Sequence, residues 1–171
     1  MSIITPRIFK AEITISQKSN PYMSDNIQEF IDKYERKFLL ELFGVIFYTE
    51  FMTALNTPPT DEKWYSLADN ADLKLMIANY VYYWYKQDET TQSMGISEAK
   101  PKAENASVTN SISKQVRTWN EMVRMVRLFD LDTTIYPDFV KRVWYGTQWD
   151  YFYYVQNRIP EIYKYKNTFD V

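Results

Sequence analysis

The sequence contains no cysteine and no histidine, and it has only 3 glycines among 171 residues. Without thiols and imidazoles the chain cannot form a disulfide, a zinc site of the Cys and His type, a thiolate nucleophile or a histidine general base. Scarce glycine argues against glycine-rich phosphate loops and against a sheet fold with many tight turns. Helices are therefore favoured, and any chemistry would fall to carboxylates, lysine, tyrosine, serine or threonine.

Charge and hydrophobic runs exclude further classes of protein. The net charge is −2 and the pI ≈ 5.3, and no segment is strongly basic, which argues against a dedicated nucleic-acid binder. Residues 1–18 lack the apolar core of a signal peptide, and no apolar run approaches roughly 18 residues. We therefore expect no membrane association, and a chain that stays in the cytoplasm in which it is made.

Aromatic residues are abundant instead. The 15 Tyr, 10 Phe and 5 Trp make up 18% of the chain, roughly double the share in an average composition. Tyrosine and tryptophan offer a large contact area with a polar tip, which favours surfaces that meet other surfaces. A core built from aromatics explains the same excess, and composition alone leaves both explanations open.

In the N-terminal third, the spacing of apolar residues changes near residue 25. Residues 12–16 alternate polar with β-branched residues, which predicts a strand or an extended arm. A single strand has no partner here, so this arm either lies on a helix surface or joins the sheet edge of a neighbouring subunit. From Asp25 onward the apolar residues follow helical spacing, and Gly44 is predicted to bend or end this helix before a second helical piece over residues 45–55.

Three further helices are predicted. The one over residues 72–87 is apolar nearly all round, which places it at the centre of the fold or between subunits. After a polar loop, helices follow from about residue 111 to 132 and from about residue 137 to 160.

These elements predict a single domain over residues 1–171 with a mainly α fold. We expect a helical bundle of four to five helices over residues 25–160, with an N-terminal extended arm at residues 1–20, a long polar loop at residues 88–110 and a C-terminal tail at residues 161–171.

No arrangement of residues points to catalysis. Carboxylate pairs such as Asp61 with Glu62 lack a supporting constellation for glycoside hydrolysis, and the dense acidic spacing of a calcium loop is missing. Neither a Ser-x-x-Lys nor a Gly-x-Ser-x-Gly pattern occurs. We therefore predict no enzyme activity, no catalytic or metal-binding residues, and no cofactor.

A basic stripe is the best-formed charged feature. At helical spacing, four residues share the side opposite the apolar face of the helix that begins near residue 111: Lys114, Arg117, Arg124 and Arg127. Such a stripe suits phosphates or the carboxylates of a partner. A solvated face, with Glu121 among the basic groups, is the favoured explanation.

Two sets of residues are candidates for an interface with another subunit or partner. One set consists of adjacent tyrosines on the helices, and the other lies in the long loop, which at that length is typical of a functional or an unstructured segment. The candidates are Tyr82, Tyr83, Tyr153, Tyr154, Met94, Gly95, Ile96, Lys100, Pro101 and Lys102.

Two stretches carry a family resemblance. Residues 25–44 read DNIQEFIDKYERKFLLELFG, and residues 78–106 read ANYVYYWYKQDETTQSMGISEAKPKAENA. Both resemble the head-to-tail connector, or ring, proteins of tailed bacteriophages, particularly those of crAss-like phages of Bacteroidales. The order of a helix ending at Leu-Phe-Gly, an aromatic helix, a polar loop and a helix with Trp-Asn-Glu-Met-Val is also similar.

The resemblance implies a non-enzymatic virion component. Subunits of this kind are expected to form a ring, of about twelve copies, below the portal protein and to extend the DNA channel toward neighbouring tail or connector proteins. DNA would pass nearby without sequence-specific binding. The alternative that the residues leave open is a carbohydrate-binding or partner-binding helical domain of non-virion origin.

Overall fold

The computed structural model describes residues 2–15, 21–59, 61–94, 106–129 and 164–167. These residues form helices and short turns and contain no strand, which confirms the predicted mainly α fold class. The 3₁₀ turns are Pro6–Ile8 and Ala11–Ile13, and the α-helices are α1 (Pro21–Asn56), α2 (Glu62–Asp69), α3 (Ala71–Met94) and α4 (Ala106–Leu128). The helix predicted for residues 137–160 lies outside the described residues.

Helix α3 is the centre of the fold. It packs against α1, α2, α4 and the second 3₁₀ turn. Its buried residues point to nearly all sides of the helix: Leu73, Met76, Ile77, Ala78, Tyr80, Val81, Tyr82, Tyr83 and Tyr85. The sequence predicted that this helix lies either at the centre of the fold or between subunits. The structure shows it at the centre.

Gly44 divides α1 into a first limb, residues 21–43, and a second limb, residues 45–56. Its φ of 74° and ψ of 165° are not helical, and they lie where a side chain would clash with the backbone. Gln28 and Met52 would be roughly 36 Å apart in a straight helix, yet both line one groove. The second limb therefore folds back toward the first, as the predicted bend at Gly44 requires.

The first limb lies antiparallel to α3 through aromatic contacts. Tyr34 stacks on Trp84 with ring centroids 5.5 Å apart, and Phe38 meets Tyr80 at 5.2 Å. Residues later in α1 therefore contact residues earlier in α3, as expected for two antiparallel helices. The second limb continues this aromatic packing against α2, where Trp64 contacts Phe47 and Phe51.

Helix α4 packs along another side of α3, also antiparallel. Trp119 lies 4.6 Å from Tyr83 between ring centroids, and the Gln87 amide donates a 3.2 Å hydrogen bond to Gln115. The buried face of α4 is the one predicted from its spacing. It consists of Val116, Trp119, Met122, Val123 and Val126.

The described part of the N-terminal arm is not a strand. Residues 2–15 include two 3₁₀ turns. Ile13 and Ile15, the apolar residues of the alternating stretch, are buried, as are Ile4 and Phe9. The first turn packs on α1, and the second packs on α3 and α4. The arm was predicted to lie either on a helix surface or at the sheet edge of a neighbouring subunit. In the structure its described part lies on the helices of its own chain.

Several helix boundaries differ from the prediction. Helix α2 was not predicted, and it begins where the Asp61 carboxylate accepts a hydrogen bond from the Lys63 N–H. Asn70 likewise caps α3 by accepting the Leu73 N–H at 2.8 Å. The predicted loop over residues 88–110 is helical at both ends, since α3 continues to Met94 and α4 begins at Ala106. Residues 95–105 lie outside the described part.

One segment, Asn26–Asn56 of α1, has the length and apolar composition to cross a membrane, a property that core helices of soluble proteins share. In this fold Gly44 interrupts it. Its fully buried aromatic side chains pack inside the chain: Phe38, Phe43, Phe47 and Phe51.

Replacement of Gly44 by alanine tests the fold-back. Because a Cβ is disfavoured at this φ and ψ, we expect Gly44→Ala to lower the free energy of unfolding by about 1–3 kcal/mol, measured by urea denaturation. Thr53→Ala, at an exposed position of the second limb, is the control and should change it by less than about 0.5 kcal/mol. Equal stability of the two variants would contradict the assigned backbone conformation.

Candidate functional site

The basic stripe lies on the exposed side of α4, where two of its cations are paired with carboxylates. Arg117 Nε lies 3.3 Å from Glu12 Oε2 of the second 3₁₀ turn. Arg124 donates to both oxygens of Glu121, at 3.0 and 2.6 Å. This hydrogen bond lowers the pKa of Glu121 and raises that of Arg124. Such exposed pairs add little stability, but they balance half of the charge of the stripe.

The other two cations of the stripe lie on tyrosine rings. Lys114 Nζ is 5.4 Å from the centroid of the Tyr82 ring, and the Arg127 guanidinium is 4.6 Å from that of Tyr165. All four residues therefore have a partner within the chain. Whether the stripe faces a channel or an acidic partner stays a prediction.

The tyrosines predicted at an interface are buried within the chain. Tyr82 is 2% and Tyr83 is 4% exposed, so the folded chain offers almost none of their surface to a partner. Their rings belong to the core instead, because α3 is covered on the sides where they point. Tyr153 and Tyr154 lie outside the described residues.

The loop candidates fall at or beyond the end of α3. Met94 is the last residue of that helix. The other five, Gly95, Ile96, Lys100, Pro101 and Lys102, lie outside the described residues.

An extended segment, residues 164–167, lies against α4 and is held through its backbone. Trp119 Nε1 donates to the Lys164 carbonyl at 2.7 Å. The Asn120 amide donates to the Lys166 carbonyl at 2.9 Å and accepts the Lys166 N–H at 2.8 Å. Asn120 thus pairs with Lys166 as a neighbouring strand would. The described part of the predicted tail packs back on its own chain.

The N-terminal arm is held in a comparable way by α1. The Glu35 carboxylate accepts the N–H groups of Ile3, at 2.9 and 3.0 Å, and of Ile4, at 3.1 Å. One turn earlier, Asp32 accepts hydrogen bonds from the Ser2 hydroxyl, at 2.6 Å, and from Gln28, at 2.8 Å. The two extended segments therefore share one mode of attachment, in which helix side chains bind backbone atoms.

Glu35 is a buried carboxyl group with 4% of its surface exposed. Burial raises its pKa to about 7, although the hydrogen bonds from Ile3 and Ile4 act in the opposite direction. Its role was not predicted from the sequence. The available signal is its spacing, because it lies in the apolar stripe of α1 with Ile27, Ile31 and Phe38, where a charged residue is unexpected.

The remaining polar groups of the described residues have structural contacts. Asp61 caps α2. The Tyr80 hydroxyl donates to Glu41 at 3.3 Å, and burial raises the pKa of this tyrosine. No cluster of three or more potential ligands from acidic side chains is present among the described residues. The predicted lack of enzyme activity and cofactors stays a prediction.

Comparison with known proteins adds no relative. No protein-family model, curated protein or solved structure matches this chain.

The buried carboxyl group predicts a pH dependence of stability. Because the pKa of Glu35 is higher in the folded chain than in the unfolded one, the folded state holds its proton over the range between the two values. The contribution of Glu35 is therefore most favourable below pH 4.5, and by pH 8 it should have fallen by about 3 kcal/mol.

The matched test compares the chain with Glu35→Gln and with Glu29→Gln, which removes an exposed carboxylate of the same helix. Urea denaturation at pH 5 and pH 8 should give a smaller loss of stability for Glu35→Gln than for the other two proteins. Parallel losses in all three would show that Glu35 is not the titrating group.

Removal of the Asn120 side chain should loosen the attachment of residues 164–167 to α4. We expect Asn120→Ala to remove both hydrogen bonds to Lys166, to cost about 1–2 kcal/mol, and to accelerate hydrogen exchange of the Lys166 amide at least tenfold, on the order of the same free energy. Exchange measured by NMR is the test, and Asn26→Ala, at an exposed position of α1, is the control. Unchanged exchange at Lys166 would refute the docking role of Asn120.

Proposed function

We propose that the chain is a structural subunit of the head-to-tail connector of a tailed phage. Its copies form a ring, of about twelve subunits, between the portal protein and neighbouring tail or connector proteins, and the ring surrounds the DNA channel. The resemblance of residues 25–44 and 78–106 to such proteins supports this. Those residues include most of the first limb of α1, Gly44 and most of α3, so the resemblance falls on the centre of the fold.

The observation that carries the proposal is the attachment of extended segments to helices through backbone atoms. Asn120 and Trp119 bind residues 164–167, and Glu35 binds residues 3 and 4. Side chains that bind backbone atoms accept an extended segment with little dependence on its sequence. Both segments lie on their own chain. A ring needs contacts that repeat head to tail around an axis, and the same mode of attachment between neighbouring copies would supply such contacts.

The electrostatics of α4 fit a wall near DNA. Glu12 and Glu121 balance Arg117 and Arg124, so the stripe offers phosphates fewer uncompensated cations than its sequence implies. Affinity for DNA rises with the number of phosphates that a surface neutralises. A surface with half of its positive charge balanced holds DNA less strongly than four uncompensated cations would. This agrees with a structural and non-enzymatic role in the virion, where the chain would be located after synthesis in the host cytoplasm.

The alternative, a carbohydrate-binding or other partner-binding domain of non-virion origin, has less support. Sugar sites present exposed aromatic faces, whereas Trp64, Trp84 and Trp119 all pack against other rings of the core. Among the large hydrophobic side chains of the described residues, the exposed aromatics are Tyr65 and Tyr165, and Arg127 already covers a face of Tyr165.

Copy number in phage particles tests the proposed function. We expect quantitative mass spectrometry of purified particles to detect this chain at a fixed integer ratio to the portal protein, because both belong to symmetric rings on one axis. The major capsid protein of the same sample provides the internal standard. Absence of the chain from particles would refute the connector role, and saturable quenching of tryptophan fluorescence by sugars would favour the alternative.

A further inference from the structure

A site that holds an extended peptide lies on α4 and the adjoining face of α3. It consists of Tyr83, Trp119 and Asn120, and we call it the tail site. Three hydrogen bonds of 2.7, 2.8 and 2.9 Å join Trp119 and Asn120 to the backbone of residues 164–167. Because all three bonds reach backbone atoms, the same segment of another copy of the chain would form them equally well.

The tail site also recognises a side chain. The Lys166 ammonium group lies 5.4 Å from the centroid of the Tyr83 ring and 5.3 Å from that of the Trp119 ring. An aromatic ring attracts a cation at this distance through its quadrupole. Lys166 is half-buried, whereas the other three residues of the segment are exposed. The site therefore selects an extended segment that carries a lysine at this position.

The segment lies on the outside of the helices. Arg127, two turns beyond Asn120 on α4, places its guanidinium group 4.6 Å from the centroid of the Tyr165 ring, and Tyr165 is still 50% exposed. The buried face of α4 packs against α3. Exchange of the segment therefore requires no change in how these two helices pack on each other.

The length of chain between α4 and the segment permits such an exchange. From Leu128, the last residue of α4, the distance back to Trp119 is only about 14 Å. Residues 129–163, which connect Leu128 to the segment, span at most roughly 120 Å when fully stretched. This length does not restrict the segment to its own tail site. Since the contacts are the same in both cases, proximity of a neighbour decides which site the segment occupies.

We propose that in an assembly the tail site of one copy binds residues 164–167 of the next copy. The contacts are those of the structure, formed between two copies instead of within one, as in other exchanges of an identical element between protomers. Because each copy carries one site and one segment, the contact repeats head to tail. The inference deepens the proposed function and rests on it for the expectation that the contacts close into a ring.

Chemical cross-linking of full-length chains tests the exchange, because the natural chain has no cysteine that would interfere. Two single variants, Arg127→Cys and Tyr165→Cys, are mixed and treated with a short bismaleimide, and the mixed dimer is measured by mass spectrometry. These positions face each other across the contact. We expect at least about tenfold more mixed dimer than from Thr53→Cys with Tyr165→Cys. Thr53 is a suitable control because it is an exposed residue of another helix.

Dependence on Asn120 provides a second measurement. In the Arg127→Cys chain, the further substitution Asn120→Ala removes two hydrogen bonds to the segment and should lower the yield of mixed dimer at least about fivefold. Asn26→Ala, at an exposed position of α1, should leave the yield unchanged. Circular dichroism verifies that each variant retains its helices.

A peptide tests whether the site selects lysine. In a full-length chain with Lys166→Glu, which weakens the attachment of its own segment, a labelled peptide of residues 161–171 should bind saturably by fluorescence anisotropy. The same peptide with Lys166→Glu should bind at least about tenfold more weakly. Equal binding of the two peptides would refute recognition of the lysine by Tyr83 and Trp119.

The outcomes separate this inference from the proposed function. If the Arg127 and Thr53 variants give equal amounts of mixed dimer, or if Asn120→Ala leaves the yield unchanged, the exchange is refuted even where the chain is present in particles at the portal ratio. If the mixed dimer depends on Asn120 but particles lack the chain, the contact between copies stands and the connector role fails.

Discussion

The central constraint on this structure is α3, a helix with apolar or aromatic residues on nearly every side. Such a helix is stable in water only when neighbours cover most of its circumference. Two straight helices would leave gaps, so Gly44 folds α1 back, α2 follows beside the second limb, and α4 covers another side. The aromatic excess serves this purpose, because large rings such as those of Tyr80, Trp84 and Trp119 fill the space between helices.

The extended segments complete the cover that the helices leave unfinished. An extended chain has unpaired backbone groups, and burying them without partners is costly. Glu35 and Asn120 solve this problem from the helix side, since each pairs with the backbone of a segment. The polar residues at otherwise apolar positions are thus part of the packing. The raised pKa of Glu35 shows what this arrangement costs, because its carboxylate loses water and gains only two backbone donors.

The features that could be predicted from the sequence are those that depend on residues close to them along the chain. The spacing of apolar residues identified the first limb of α1, the apolar character of α3 on nearly all sides and the buried face of α4, and only glycine readily accepts the backbone at position 44. It did not predict the partners of Glu35 or Asn120, because the segments they hold lie more than about 30 positions away and no local pattern encodes such pairs. The interface assignment of Tyr82 and Tyr83 had the same weakness, since exposure depends on which helices cover α3.

The arrangement separates what folds the subunit from what would join subunits. Most aromatic surface of the described helices is used inside the chain, so a neighbour finds few large apolar faces to bury. In the proposed ring, contacts between copies would therefore depend more on polar side chains and backbone groups than on large aromatic faces.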